Sequence, residues 1–242
     1  MKRLLSGKRR LLMLTSIIGI VYVLVCNIPN KSDQMPPCEF IQTLKHGQIF
    51  TFEKGDILIR SNVNYLPGTS HAPAGRKFGH AAIVVQRGEG KSIDEALSKS
   101  IVVEGIIYDQ ATRSYEFDSK KQVRKACAKI SFGNRFAGIR YRLRTKLTNE
   151  QKETMSKFLE SQITTHGYNL FSTKDTKQLA LSGSKIRYDL LEGKKWNCTT
   201  LCWFAFMNAA SLDIDSNKGL LVYPNDIIRC KFFDEDKGRI RF

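Results

Sequence analysis

Cys198, His80 and Glu104 are the residues of this chain whose types and settings suit them to do chemistry together. Cys198 follows Asn197, a preferred helix N-cap type, and opens the stretch Cys198–Ala210 (CTTLCWFAFMNAA). That stretch is apolar nearly all round, so it predicts a helix central to the fold. The first N–H groups of a helix lack intrahelical partners and carry partial positive charge, which stabilises a thiolate placed beside them. The same amides can receive the oxyanion of a tetrahedral intermediate. Cys202 lies one turn further in and has no such setting. On residue types alone Cys198 is either a reactive thiol or a buried one, since free cysteine is among the most buried residue types.

A nucleophilic cysteine needs a base, normally a histidine oriented by a third polar group. The chain has four histidines, at positions 46, 71, 80 and 166. His46 and His71 fall in loop-like surroundings, and His166 follows a helix beside Gly167. His80 alone begins a strongly apolar strand, His80-Ala-Ala-Ile-Val-Val85. A histidine there is structural or catalytic, and the strand itself does not decide which. Glu104 sits inside another apolar strand, Ser100–Tyr108 (SIVVEGIIY). Ile101, Val103, Gly105 and Ile107 share one face of it; Val102, Glu104 and Ile106 share the other. With both faces apolar, a solvent-facing position is hard to assign to Glu104, and a buried carboxylate is costly without a partner. A carboxylate held beside a strand-borne histidine is how an imidazole is kept in one tautomer.

These residues need a scaffold of strands and helices. Gly55-Asp56 turns into a strand at Ile57–Arg60, and Ser61–Gly79 (SNVNYLPGTSHAPAGRKFG) is a long loop of the functional or mobile kind. Gln86–Ser92 turns the His80 strand round. Val123–Phe132 and 139–143 are expected to be further strands with alternating basic residues. The period then changes. Thr148 and Gln151 form a capping box, and Met155, Phe158, Leu159 and Ile163 recur at helical spacing. Tyr223–Ile228 is expected as a surface turn before a charged tail. Strands first and helices second imply an α+β domain, an antiparallel sheet packed against helices.

The N-terminus bears on location. Residues 1–10 carry five basic residues and no acid, and Leu11–Cys26 is a run of 16 residues without a charge. A basic block fused to an apolar run is an export signal. It is either an uncleaved anchor, a cleaved peptide, or a lipidated segment ending at Cys26; each puts the body outside the cytoplasm. Segment 1–28 is thus a signal or transmembrane segment, 29–40 a linker, and 41–242 the folded body. The net charge of +16 favours anionic partners such as an envelope polymer or a membrane surface. Nucleic acid is not expected, because export separates it from the chain. Six cysteines in an exported protein permit disulfides, but Cys198 and Cys202 are predicted to be reduced. They lack the second cysteine pair or histidine pair that zinc requires, so neither metal nor cofactor is expected.

The ordered set "GDILIR", a long loop, "GHAAIVV", "VVEG", "LTNEQ", "GYNLF", "WNCTTL" and "YPNDII" resembles the YiiX/YaeF-like branch of the NlpC-type papain-like superfamily. Members of that branch are circularly permuted cysteine peptidases or amidases in which the histidine strand precedes the cysteine helix. The resemblance covers roughly 50–228. It implies a permuted papain-like fold, with Cys198 as nucleophile, His80 as general base and acid, and Glu104 orienting His80. Peptide, amide or lipid-amide substrates follow from it, and no cofactor. The sequence departs from the branch at Asn197-Cys198-Thr199-Thr200, where roughly Tyr-Cys-Ser-Glu is expected. The loop before His80 is also longer than expected. The related lecithin retinol acyltransferase branch carries Asn-Cys at its nucleophile, which implies a lipid-directed acyltransferase or lipase as the alternative. A binding module with an unreactive Cys198 is another.

Overall fold

Alternation along two neighbouring strands builds two cores, one on each face of a single sheet. In the strand Ile57–Ser61, Ile57 and Ile59 enter one core and Leu58 the other. In the strand Phe78–Gln86, Ala81 and Ile83 go with the isoleucines, Ala82 and Val84 with Leu58. Successive side chains of a strand point to opposite faces, so both faces must be covered. The computed structural model describes residues 48–61, 78–109, 111–112, 114–133, 140–144, 146–164, 167–169, 172–174, 195–216, 221–234 and 238–242. The signal or anchor segment and the linker (1–40), His46, His71, His166 and most of the loop before His80 lie outside the described residues.

The strands in chain order are β1 (Phe50–Phe52), β2 (Ile57–Ser61), β3 (Phe78–Gln86), β4 (Gly88–Gly90), β5 (Ile101–Gly105), β6 (Tyr108–Asp109), β7 (Ser114–Tyr115), β8 (Val123–Cys127), β9 (Arg140–Leu143) and β10 (Arg239–Arg241). Six of them form an antiparallel sheet in the order β10-β9-β2-β3-β5-β8. The helices are α1 (Ile93–Lys99), α2 (Ser119–Gln122), α3 (Ala128–Phe132), α4 (Asn149–Gln162), α5 (Cys198–Ala210) and α6 (Pro224–Ile228). α4, α5 and α6 supply Phe158, Trp203, Phe204 and Ile227 to the core under Ile57 and Ile83. α1 and α3 supply Leu97 and Phe132 to the core under Leu58 and Val84. The fold is therefore α+β, an antiparallel sheet between helices. Among the described residues no helix is long and apolar enough to cross a membrane.

Local signals act as expected at α4. Thr148 Oγ1 accepts from the Gln151 N–H at 3.2 Å, and Gln151 Oε1 accepts from the Thr148 N–H at 2.9 Å. At the turn into β2, Gly55 has φ of +91°, a conformation L side chains rarely adopt. Asp56, buried at the base of β2, takes two Arg144 N–H bonds of 2.7 Å each.

Several expectations are corrected. Val123–Phe132 is not one strand: after Cys127 the chain becomes α3, which turns Ser131 and Phe132 into the sheet's second face. Ser100–Tyr108 pairs in the sheet only through Gly105. β3 starts at Phe78 rather than at His80. Residues 93–99, beyond the Gln86–Ser92 turn, form a helix capped by Ser92, whose side chain accepts from the Glu95 N–H. Tyr223–Ile228 is no surface turn, because Pro224–Ile228 is a buried helix against β3. The charged tail is equally ordered by tertiary pairing: Arg239–Arg241 adds an edge strand beside β9.

Candidate active site

The N-terminus of α5 is built by its cap. Asn197 has extended backbone, its side chain accepts from the Thr200 N–H at 2.7 Å, and Thr200 Oγ1 accepts from the Asn197 N–H at 3.2 Å. Thr199 Oγ1 donates to the Val222 carbonyl at 2.6 Å, and Asn197 Nδ2 donates to the Ser172 carbonyl at 3.3 Å. The first turn is thus tied to two flanking segments. The Cys198 and Thr199 N–H groups have no intrahelical acceptor. This helix end is buried: Cys198 is 6% exposed, because α5 begins inside the protein.

α5 begins where β5 ends. The β3–β5 pairing runs from Gln86–Ile101 to Ile83–Val103, so the first residues of β3 extend beyond it. A Cβ added to Gly105 would lie 3.6 Å from Asn197 C and from Cys198 N, which places the helix start against the last residue of β5. The Ala81 N–H of β3 and the His80 imidazole both lie within reach of the Cys198 sulfur. Burial pushes the Cys198 thiol up. The bond to His80, the charge of His80, the Ala81 amide and the charge of Arg60 together outweigh it and lower the thiol below its ordinary value.

His80 is held on several sides. Its ring stacks on Phe132 of α3, with centroids 5.6 Å apart and planes 25° apart. Arg60 stands opposite it on β2. Its Nε2 is 2.8 Å from Glu104 Oε2, which leaves Nδ1 as the nitrogen for the thiol. Burial opposes charging of His80, but hydrogen bonds to Cys198 and Glu104 outweigh it and raise the imidazole above its ordinary value. Glu104, without solvent exposure, takes bonds at Oε1 from Arg124 Nε (3.1 Å), Arg124 Nη2 (3.0 Å) and Ser131 Oγ (3.0 Å). Burial pushes its carboxyl up; His80, Arg124 and Ser131 together lower it to about 2. A thiol, an imidazole and a carboxylate therefore meet where α5, β3 and β5 come together, the imidazole hydrogen-bonded to the carboxylate and within reach of the thiol. Such an arrangement can hold a thiolate beside an imidazolium.

Cys202 has the opposite setting. Burial, then the charge of Cys198, pushes its thiol well up. Cys127, Cys198, Cys202 and Cys230 are all free thiols; Cys26 and Cys38 lie outside the described residues. Among the described residues no group of three or more His, Cys, Asp or Glu side chains is placed to hold a metal ion. A cleft of about 560 Å³ opens at the opposite end of β5 and β8, lined by Val85, Ile101, Lys125, Cys127 and Glu160, away from Cys198.

Four residues near this site escaped the reading of the sequence. Arg124 and Ser131 touch Glu104, Arg60 acts by charge, and the Tyr168 phenol is pushed up by burial and by the charge of Cys198. Tyr168 lies in the "GYNLF" segment, which was a signal of a kind. Arg124 carried none, because its place opposite Glu104 depends on the β5–β8 register.

No family model matches the chain. Over 31 residues it is 61% identical to the uncharacterized protein YycO of Bacillus subtilis (strain 168); the stretch is 13% of this chain and 13% of that protein. The crystal structure of metalloprotein yiiX from Escherichia coli O157:H7 is similar with a TM-score of 0.43 at 14% sequence identity, over 74% of this chain and 93% of that one.

Proposed function

We propose that this chain is a thiol-dependent hydrolase of peptide or amide bonds in the cell envelope. Cys198 is its nucleophile, His80 its general base and acid, and Glu104 the residue that orients His80. The observation that carries this reading is His80, hydrogen-bonded to Glu104 at 2.8 Å, standing within reach of the Cys198 sulfur at the start of α5. The order of histidine strand, glutamate strand and cysteine helix is that of the circularly permuted papain-like fold, which supports the same reading.

In the reaction the Cys198 thiolate attacks the carbonyl carbon, forming a C–S bond and moving the carbonyl electron pair onto oxygen. The first-turn amides of α5 receive that oxyanion. As it collapses the C–N bond breaks, and the His80 imidazolium passes its proton to the departing nitrogen. Water then attacks the thioester, His80 takes a proton from it, and the thiolate leaves. Glu104 stays ionised throughout and keeps Nε2 protonated.

A second reading is transfer of an acyl group from a lipid amide or ester. One observation favours it beyond the Asn197-Cys198 pair: Phe117 is 82% exposed, beside Tyr115 at 6.1 Å and the basic residues Lys120 and Lys121. Phe117 stands between Glu116 and Asp118, and an aromatic this exposed, with two cations close by in the chain, can enter a membrane surface. The test is iodoacetamide labelling followed by mass spectrometry, with release of amine from a panel of peptide and lipid amides. Preferential alkylation of Cys198 and turnover lost in Cys198→Ala support the hydrolase. Equal labelling of Cys198 and Cys202 would sink both enzyme readings and favour a binding module.

A further inference from the structure

Arg124 lies outside the three proposed catalytic residues, yet its guanidinium is committed to one of them. Two of its nitrogens donate to Glu104 Oε1, at 3.1 and 3.0 Å, and Nη1 is 3.0 Å from Asp109 Oδ2. Ser131 adds a third donor to Oε1 at 3.0 Å. Oε1 is therefore saturated, and Oε2 is left to His80 at 2.8 Å. This arrangement has two physical effects. The carboxylate plane cannot rotate without breaking three bonds, so the oxygen facing Nε2 is always the same one. The positive charge of Arg124 also offsets part of the negative field that Glu104 exerts on the imidazole.

Other charges face the ring too. Arg60 comes from β2, Glu104 from β5 and Cys198 from α5, while α3 brings only the uncharged Ser131 and Phe132. Arg124 and Asp109 stand behind Glu104, Tyr168 stands near Cys198, and α6, packed on β3, carries Asp226. Arg140 of β9 is turned to the Phe132 carbonyl at 2.6 Å. Of the charged groups named only Arg124 binds Glu104, the residue that orients His80, which is the leverage its position supplies.

We infer that Arg124 is a positioning residue that acts through Glu104: it aims Oε2 at His80 and tempers the carboxylate's hold on the imidazole proton, so that His80 can release as well as accept it. The inference rests on the proposed roles of Cys198, His80 and Glu104. An imidazole held too firmly protonated by a bare buried carboxylate is a poor general base, whereas a carboxylate shared with an arginine holds the proton less firmly.

The test is an NMR titration of His80 in full-length protein carrying Cys198→Ala, which removes the thiolate from the ring. Arg124→Met should raise the His80 midpoint by about one pH unit. Arg124→Lys, which keeps the charge, should leave the midpoint near that of Arg124. Asp109→Asn, which unmasks the Arg124 charge, should lower it by a smaller amount. A midpoint unmoved in folded Arg124→Met, or moved equally by Met and Lys, overturns the inference. Where Arg124→Met does not fold, the Asp109→Asn shift decides alone, and its absence overturns the inference. Alkylation of Cys198 in protein that retains this thiol is measured alongside. If Cys198 labels no faster than Cys202 the hydrolase reading fails, whatever His80 does; if it labels faster and the midpoints stay put, only the role of Arg124 fails.

Discussion

Cys198 and Cys202 sit one turn apart on α5, 6% and 1% exposed, and their thiols are pushed in opposite directions. Burial acts upward on both. What separates them is whom each one meets. Cys198 is at the helix start, against the imidazole of His80 and the amide of Ala81, with the positive charge of Arg60 nearby. Cys202 is inside the helix, among core side chains, with the charge of Cys198 as a further upward influence. Burial alone therefore does not fix where a thiol titrates: at similar depth, a neighbouring imidazole and the helix end lower one thiol while the other is raised.

The sharpest way to break this contrast is Cys198→Ala: on the proposed function it is expected to abolish amide turnover, whereas Cys202→Ala should leave the rate within a few-fold of the unsubstituted protein. Turnover of the amide panel by purified variants measures both. Next in size is His80→Ala. It should slow alkylation of Cys198 at pH 6 by on the order of 100-fold and leave Cys202 as it was, since the thiol loses the partner that lowers it. Time-resolved mass spectrometry of the two peptides reads this directly; an unchanged ratio of their labelling rates contradicts the account.

Glu104→Gln comes third. It leaves the buried side of Arg124 without its carboxylate and should cost about 3–5 kcal/mol of stability, measured by denaturant unfolding. The same carboxyl gives a pH signature. Its folded value, lowered from 4.5 to about 2, means that its contribution is present above pH 4.5 and is lost as pH falls towards 2. Unfolding free energy should therefore decline across that window, and part of the decline should vanish in Glu104→Gln. The smallest effect belongs to the cap. Asn197→Ala should cost about 1–2 kcal/mol and slow Cys198 labelling modestly, because the first turn loses its anchors to Thr200 and Ser172.

Features decided within one turn of chain were legible in the sequence. The Thr148 and Asn197 caps, the limits of α5 and the two-faced burial of β5 all follow from neighbouring residue types. Features that depend on distant partners were not. Val123–Phe132 has the composition of a strand throughout, and only the second core, which needs Phe132 beneath β2 and β3, bends its latter half into α3. Pro224–Ile228 has turn residues, yet it is buried as a helix because β3 offers it an apolar surface.

The candidate site divides along the same line. By itself the sequence determined that Cys198 starts a helix, that Asn197 caps it, and that Glu104 cannot lie comfortably on an apolar strand, since each depends on the local backbone and side-chain pattern. Only the tertiary structure decided that α5 starts where β5 stops, that the Ala81 amide and His80 both reach the sulfur, and that Arg124 stands across from Glu104. Those contacts join segments far apart in the chain. Strand register and helix docking set them, and both are won by burying two cores at once rather than by any single stretch of residues.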